Sequence, residues 1–406
     1  MTHNNHTVKS LLILNIINHM GPISRTELID VTDYRAATIS GLIKELLDEK
    51  LISETGFQSV GHGRKRTLLE INKDRLCALG IAFSSNSVTY VVSGIDGSIL
   101  ARDTRHISQE ESREALVERV TEDAATLLDR FRDKDVVGIG ISEPFFDPTS
   151  YRRDSSLFAN YAHFNDWIRL SLKPRLEATT GLNVNTYSAV TMPAMAELRF
   201  GAGRGVENFI CVELSNGIGS SICCNGIPVR GGSGVAGELG HTVVSSNESL
   251  CYCGKPGCVE STTAFPALVA ELHRAMDQGV FSCLNPEEPI TTHAIRKALE
   301  EGDRLCLHLV RQIAQRIGLA IANAVNLLNP ELVILHGFML ELGEWFLEQL
   351  EQSIRENTLI IASNFSLQIS DKMEELLPMG AVAEVFSDYL RSDEYKWVYR
   401  LKQQEL

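Results

Sequence analysis

Apolar residues recur at helical spacing three times within the first fifty positions, after which the period of the chain changes. From Val8 to Met20 the residues Leu11, Leu12, Leu14, Ile16 and Ile17 predict a helix buried on more than one side, and Gly21-Pro22 ends it. In ISRTELIDV, Ser24 and Glu27 stand at capping-box spacing, each side chain suited to a free amide of a first turn, so a second, short helix is expected there. In TDYRAATISGLIKELLDEKLI, Ile39, Leu42, Ile43, Leu46 and Leu47 predict a third helix, capped by Thr32 or Asp33. Its opposite face carries Arg35, Thr38, Ser40, Gly41 and Lys44. LISETGFQSVGHGRKRTLLEIN then reads as a strand, a Gly-rich tip and a returning strand, with Arg64, Lys65 and Arg66 near the tip.

From about Leu76 strand-like and helical runs alternate. LGIAFSSNSVTYVVSGIDGSILAR predicts antiparallel strands with a turn at Asp96-Gly97, a polar helical stretch covers 111–132, and DVVGIGIS is a buried-strand candidate. VENFICVELSNGIGSSICCNGIPVRGG repeats the strand, Gly-rich turn, strand pattern, and the apolar helix over 311–328 precedes the short strand LVILHG. Two similar units in tandem predict an α/β body of two lobes. The expected domains are 1–74, a first lobe over 75–193 completed by a C-terminal helix at about 382–406, and a second lobe over 194–381.

Three helices joined by short turns and followed by a hairpin make a winged helix-turn-helix, whose last helix offers its N-terminal half to the major groove of DNA. Thr38 and Ser40 are small enough for close approach to base edges. Arg35 and Lys44 can reach bases or phosphates, and Arg64, Lys65 and Arg66 suit the phosphate backbone or the minor groove. A protein-docking segment with a solvated basic turn is the plainer alternative.

Charge sharpens this division. The formal net charge is -14, yet residues 1–74 hold nine Lys/Arg and nine Asp/Glu, so the whole negative excess falls on the body. A neutral head binds DNA only if its cations share one face. No leader-like start appears and LLILNII is too short to cross a bilayer, so a soluble cytoplasmic protein is expected. In that reducing compartment the tight group Cys251, Cys253 and Cys258 suggests metal, whereas Cys77, Cys211, Cys223, Cys224, Cys283 and Cys306 read as buried small residues.

SNGIGSSICCNGIPVRGGSGVAGELGH followed by CYCGKPGCVE resembles the signature of the ROK family (repressor, open reading frame, kinase), and the N-terminal head makes the chain similar to its transcription-factor branch, the repressors of glucose, N-acetylglucosamine and xylose genes. That resemblance implies two actin-like, sugar-kinase-like lobes, operator DNA as partner, a small carbohydrate inducer, and a homodimer or larger homo-oligomer. Some members are instead controlled by a protein partner. It also implies one structural zinc per chain held by His241, Cys251, Cys253 and Cys258, since a Cys3His set closes a tetrahedral shell and leaves no place for a catalytic water. A reduced, metal-free loop is the alternative. Asn185, Glu238, His241 and Glu260 are the implied sugar contacts, with one imidazole nitrogen on zinc and the other offered to a hydroxyl.

Kinase chemistry is not expected. By the resemblance, the Asn-Asp pair of the kinases falls on Asn185-Thr186, and a threonine is no general base; the first phosphate motif falls on Ala82-Phe83-Ser84-Ser85-Asn86 without its acid or glycines. The second, Asn216 to Ser221, keeps part of its glycine pattern, and the Gly-Gly of the nucleotide side reads His336-Gly337. Pro144-Phe145-Phe146 replaces the usual Pro-Gly before the first cleft loop. An active sugar kinase carrying a DNA-binding head is the competing reading.

Overall fold

Thr7 accepts from the Ser10 amide and opens α1 (Val8–Met20) in the computed structural model of the chain, which describes residues 7–60, 64–84, 87–108, 111–143, 168–244, 249–370 and 375–390. The expected capping box is present at α2 (Arg25–Thr32): Ser24 accepts from the Glu27 amide while Glu27 accepts from the Ser24 amide at 2.8 Å. α3 (Ala36–Asp48) buries Ile39, Ile43 and Leu46 against α1 and α2. Its N-cap is Arg35 and no side chain caps it, contrary to the expectation of Thr32 or Asp33. The reason is local: Asp33 adopts the left-handed conformation (φ 55°) that ends α2, and the Thr32 hydroxyl donates back to Leu28 O at 2.6 Å. Ser10 Oγ donates to Glu45 at 3.0 Å, tying α1 to α3 with a partly buried polar contact. The hairpin β2 (Ile52–Val60) and β3 (Arg64–Ile71), with the two-residue β1 (Ile23–Ser24), forms an antiparallel sheet in the order β1-β3-β2.

The chain divides into two compact units. The first takes, among the described residues, those within 7–143, 168–187 and 381–390, so the head shares it with the first lobe. Its larger sheet has the order β6-β5-β4-β7-β8, from β4 (Leu76–Phe83), β5 (Ser87–Gly94), β6 (Ile99–His106), β7 (Asp135–Glu143) and β8 (Val184–Ser188). The three strands β4 to β6 are antiparallel, as their hairpin signals predict, and β7 adds parallel to β4. α4 (Arg113–Asp129), capped by Ser112, and α5 (Lys173–Thr180) pack against each other. A side chain at Gly140 would meet Ala381 O at 2.6 Å, so the sheet accepts the C-terminal helix only where it lacks a Cβ.

The second unit, residues 188–380 among those described, repeats the pattern. Its sheet runs β11-β10-β9-β12-β13, from β9 (Phe209–Leu214), β10 (Ile218–Cys224), β11 (Ile227–Pro228), β12 (Leu332–His336) and β13 (Ser366–Ile369): an antiparallel set extended by parallel strands. The chain passes between units at Tyr187–Ser188 and Gly380–Ala381, against expected boundaries at 193/194 and 381/382. The earlier crossing follows from packing, because Ala194 of α6 (Met192–Phe200) is buried with Phe209, Cys211 and Cys223 of the second sheet. α7 (Val259–Thr263), α8 (Phe265–Asp277), α9 (Thr292–Glu300), α10 (Arg304–Leu328) and α11 (Glu344–Asn357) enclose the core of this unit, and α12 (Leu376–Tyr389) carries the chain back to the first. No helix among the described residues is long and apolar enough to cross a membrane.

Candidate functional site

Gly237-Glu238-Leu239-Gly240-His241 lies flat against β10. A Cβ at Gly237 would meet Ser220 O at 2.2 Å and one at Gly240 would meet Ile218 O at 2.0 Å. The Ser220 amide and hydroxyl both donate to Gly237 O, at 3.0 and 2.8 Å. This close approach fixes the short 3-10 turn Leu239–His241 and sends Glu238 and His241 to the same side, their Oε2 and Nε2 3.7 Å apart. Burial lifts the Glu238 carboxyl above its ordinary pKa; His241 opposes the lift and the Glu260 charge adds to it.

The other imidazole nitrogen faces sulfur. His241 Nδ1 is 3.6 Å from Cys251 Sγ, Cys253 and Cys258 sulfurs are 3.6 Å apart, and one donor atom from each of the four residues lies within 4.8 Å of the others. A tetrahedron with zinc–sulfur bonds of 2.3 Å has sulfur–sulfur edges of about 3.8 Å, so the shell has the size of a zinc site. The loop is preformed by its backbone: Cys251 N donates to Lys255 O at 2.9 Å, Gly254 N to Cys251 O at 2.9 Å, and Val259 N to Thr242 O at 3.0 Å. Burial, then the neighbouring thiols, push Cys258 up to about 12 without a metal. Three thiolates cannot share this space unless a cation joins them. The residues fit a closed structural metal site, whose ion would fix the ring so that Nε2 carries the proton and donates outward.

Glu260, in the first turn of α7, accepts from the Ile218 amide at 3.0 Å and thereby braces the glycine turn between β9 and β10. Ser215 N closes that turn on Gly217 O at 3.0 Å. The other expected phosphate motif is also closed on itself, since Ser84 and Ser87 hydroxyls lie 2.6 Å apart and Phe83 is buried; Ser85 and Asn86 fall outside the described residues. His336, at the carboxyl end of β12, is buried, and burial lowers its pKa to about 4. Pro144, Phe145 and Phe146 lie outside the described residues.

Asn185 and Thr186 are placed in β8, in the first unit. Asn185 Nδ2 donates to Asp388 at 3.0 Å, an acceptor it shares with the Tyr187 hydroxyl at 2.6 Å, and it lines a groove of about 760 Å³ beside Asp135, the first residue of β7. Ligands of such sheets gather at the carboxyl ends of strands, where β8 ends at Ser188, so Asn185 is not placed for the sugar contact expected of it. Cys283 is a second departure. It is exposed, its amide donating to Asp303 at 2.6 Å, while Cys77, Cys211, Cys223 and Cys306 are buried and Cys224 is partly so. Tyr252, which the motif reading passed over, has its hydroxyl 3.1 Å from His241 Nε2. Its position between two cysteines of the cluster is the signal that could have found it, because a loop that turns both sulfurs inward turns the residue between them outward.

In the head, Arg35, Ser40, Gly41 and Lys44 are exposed on α3 and Thr38 is half-buried. Arg66 is half-buried in β3 opposite Gln58; the side chains of Arg64 and Lys65 lie outside the described residues. The hairpin is anchored to the helices by the Arg25–Glu54 ion pair at 2.9 Å.

Comparison with known proteins gives a consistent picture. The ROK family model matches residues 78–373. A xylose repressor of Caldicellulosiruptor bescii is 29% identical over 402 residues, covering 96% of this chain and 99% of that protein. The DNA-binding transcriptional dual regulator NagC of Escherichia coli K12 is 25% identical, covering 93% and 92%. The crystal structure of a ROK family transcriptional regulator, a homologue of the E. coli Mlc protein, superposes with a TM-score of 0.77 at 24% identity, covering 94% of this chain and 97% of that one.

Proposed function

The chain belongs to the ROK family, and on that premise we propose that it is a DNA-binding transcriptional regulator, a repressor of carbohydrate uptake or catabolism genes acting in the cytoplasm. The head is the winged helix-turn-helix, and one observation carries the reading: α3 turns Ile39, Ile43 and Leu46 inward and Arg35, Ser40 and Lys44 outward. That is the arrangement of a recognition helix, with Thr38 beside it and Arg64, Lys65 and Arg66 of the hairpin serving the backbone. A dimer matches the two-fold symmetry of operators.

The body is the sensor. Glu238, His241 and Glu260 form the carbohydrate shell, and one zinc on His241, Cys251, Cys253 and Cys258 holds it rigid. Phosphate transfer is lost. No carboxylate stands at the carboxyl end of β8, where Ser188 and Ala189 follow Tyr187, the Ile218 amide in the glycine turn is spent on Glu260, and a buried imidazole stands at His336. Sugar binding shifts the balance between two states that differ in affinity for operator.

The test is titration of the purified protein with fragments of its own promoter and with random duplex at one fixed salt concentration, with and without sugars, alongside elemental analysis and a coupled phosphorylation assay. Preference for a promoter fragment, one zinc per chain, a sugar-dependent change in binding and no ATP-dependent turnover are the expected results. ATP-dependent consumption of a sugar would sink the sensor reading. Release from operator that needs a protein partner, with no sugar shifting thermal stability, would remove the inducer.

A further inference from the structure

The carbohydrate shell already holds a hydroxyl, and it is the protein's own. Tyr252 sits between Cys251 and Cys253, with its oxygen 3.1 Å from His241 Nε2 and its ring edge-on to the imidazole, centroids 5.2 Å apart at 79°. The phenol also faces the Glu260 carboxylate. A phenol and a sugar hydroxyl make the same demands, one proton given and one or two accepted. With Nδ1 held on the proposed metal, Nε2–H would donate to the Tyr252 oxygen and leave the Tyr252 O–H to donate to the carboxylate. Donor and acceptor are both satisfied before any ligand arrives.

The ring is not locked in a core. Tyr252 is 47% exposed, so two side-chain torsions suffice to swing it into water. Resting on the reading of Glu238, His241 and Glu260 as the carbohydrate shell, we propose that Tyr252 is an internal competitor: its hydroxyl fills the subsite of one sugar hydroxyl, and a carbohydrate binds only by displacing it. Two consequences follow from the chemistry. The apparent affinity is lower than the intrinsic one by the fraction of molecules with the tyrosine swung out, which sets the sugar concentration at which the regulator responds. Selectivity also rises, because a ligand must offer a hydroxyl that replaces both bonds, and a deoxy analogue would leave these half-buried partners unsatisfied.

The test uses the full-length, zinc-loaded protein and its variants Tyr252→Phe, which keeps the ring, and Tyr252→Ala, which removes it. Each is titrated with D-xylose, D-glucose and N-acetyl-D-glucosamine, reading thermal midpoint and binding heat, with zinc content measured in parallel. For a sugar that binds, Tyr252→Phe is expected to bind about tenfold tighter, the worth of freeing one or two hydrogen bonds, with zinc unchanged. A response seen only in the variants supports the proposal as well. Unchanged affinity in both variants overturns it, and so does weaker binding, which would make the tyrosine a sugar contact. If no sugar shifts the wild type or either variant while promoter binding persists, the carbohydrate reading fails and the competitor with it. Loss of zinc confined to Tyr252→Ala leaves the phenylalanine comparison intact.

Discussion

A single buried imidazole gives the body a pH limit. His336 ends β12 where burial alone lowers its pKa from 6.5 to about 4. Above pH 6.5 it is neutral in folded and unfolded chains and costs nothing. Between about 6.5 and 4 the unfolded chain binds the proton and the folded one does not, so stability falls as pH drops through that window, by about 2 to 3 kcal/mol at pH 4.5. Urea unfolding of wild type and His336→Asn at pH 7.5 and 4.5 checks this: the variant should lose less stability between the two, whatever its absolute value, and an equal loss would exclude the histidine as the source. The same scale shows what the sequence could and could not reveal. Cys251, Cys253, Cys258 and His241 were legible because ligand spacing is short-range and chemically narrow. Asn185 was not, because its role depends on Asp388, some two hundred residues away, and on which end of β8 it occupies. Cys283 sits in a run that reads as buried, yet Asp303 draws its backbone to the surface loop.

Among helices, two mid-helix glycines separate internal causes from external ones. Gly318 in α10 is explained by its neighbour, since a Cβ there would meet Ser353 of α11 at 2.5 Å. Gly41 in α3 has no such reason: nothing among the described residues lies within 4 Å of where its Cβ would be, and a mid-helix glycine costs about 1 kcal/mol against alanine. On the proposed DNA-binding role, close approach of a duplex to the exposed face beside Ser40 would supply the reason. Gly41→Ala is therefore expected to raise the stability of the head by up to about 1 kcal/mol and to weaken promoter binding, read by thermal unfolding and by duplex titration at fixed salt. Tighter or unchanged promoter binding would show that the glycine serves no contact. On the same helix, Arg35→Ala should relax sequence preference at about 1 to 3 kcal/mol, whereas Arg64→Ala should weaken promoter and random duplex alike. Equal effects of both changes on the two duplexes would count against this assignment of roles. At this scale the sequence was read well where the signal is local: α1 runs over the residues its period marks, and Ser24–Glu27 forms its box. The start of α3 was missed because Asp33 ends α2 in a left-handed turn, a choice no propensity at that position dictates.

For the whole chain, duplication of a sheet pattern accounts for most of what was expected, since both body sheets join an antiparallel set to parallel strands. The unit boundary was displaced because α6 is claimed by the second sheet, a preference expressed only through Phe209 and Cys211 packing on Ala194. The head belongs to the first unit, and the metal set with Glu238, Tyr252 and Glu260 belongs to the second. Any influence of sugar on the head must therefore pass as a difference in free energy between states of the chain. Removal of the proposed zinc is expected to separate sensing from grip. On the proposed zinc site, a chelator that strips the ion would free the His241 ring, loosen the loop carrying Tyr252 and unfix the Nε2–H donor, while α3 and the hairpin keep their own core of Leu11, Leu14, Ile39 and Ile43. The stripped protein is expected to retain duplex binding with an unchanged salt slope, because the phosphate contacts are the same in number, and to lose at least about tenfold in sugar affinity. Titrating both ligands before and after chelation, then after zinc is restored, decides it: loss of duplex binding in step with zinc would place the metal in support of the head, and an undiminished sugar response would remove it from the sensor.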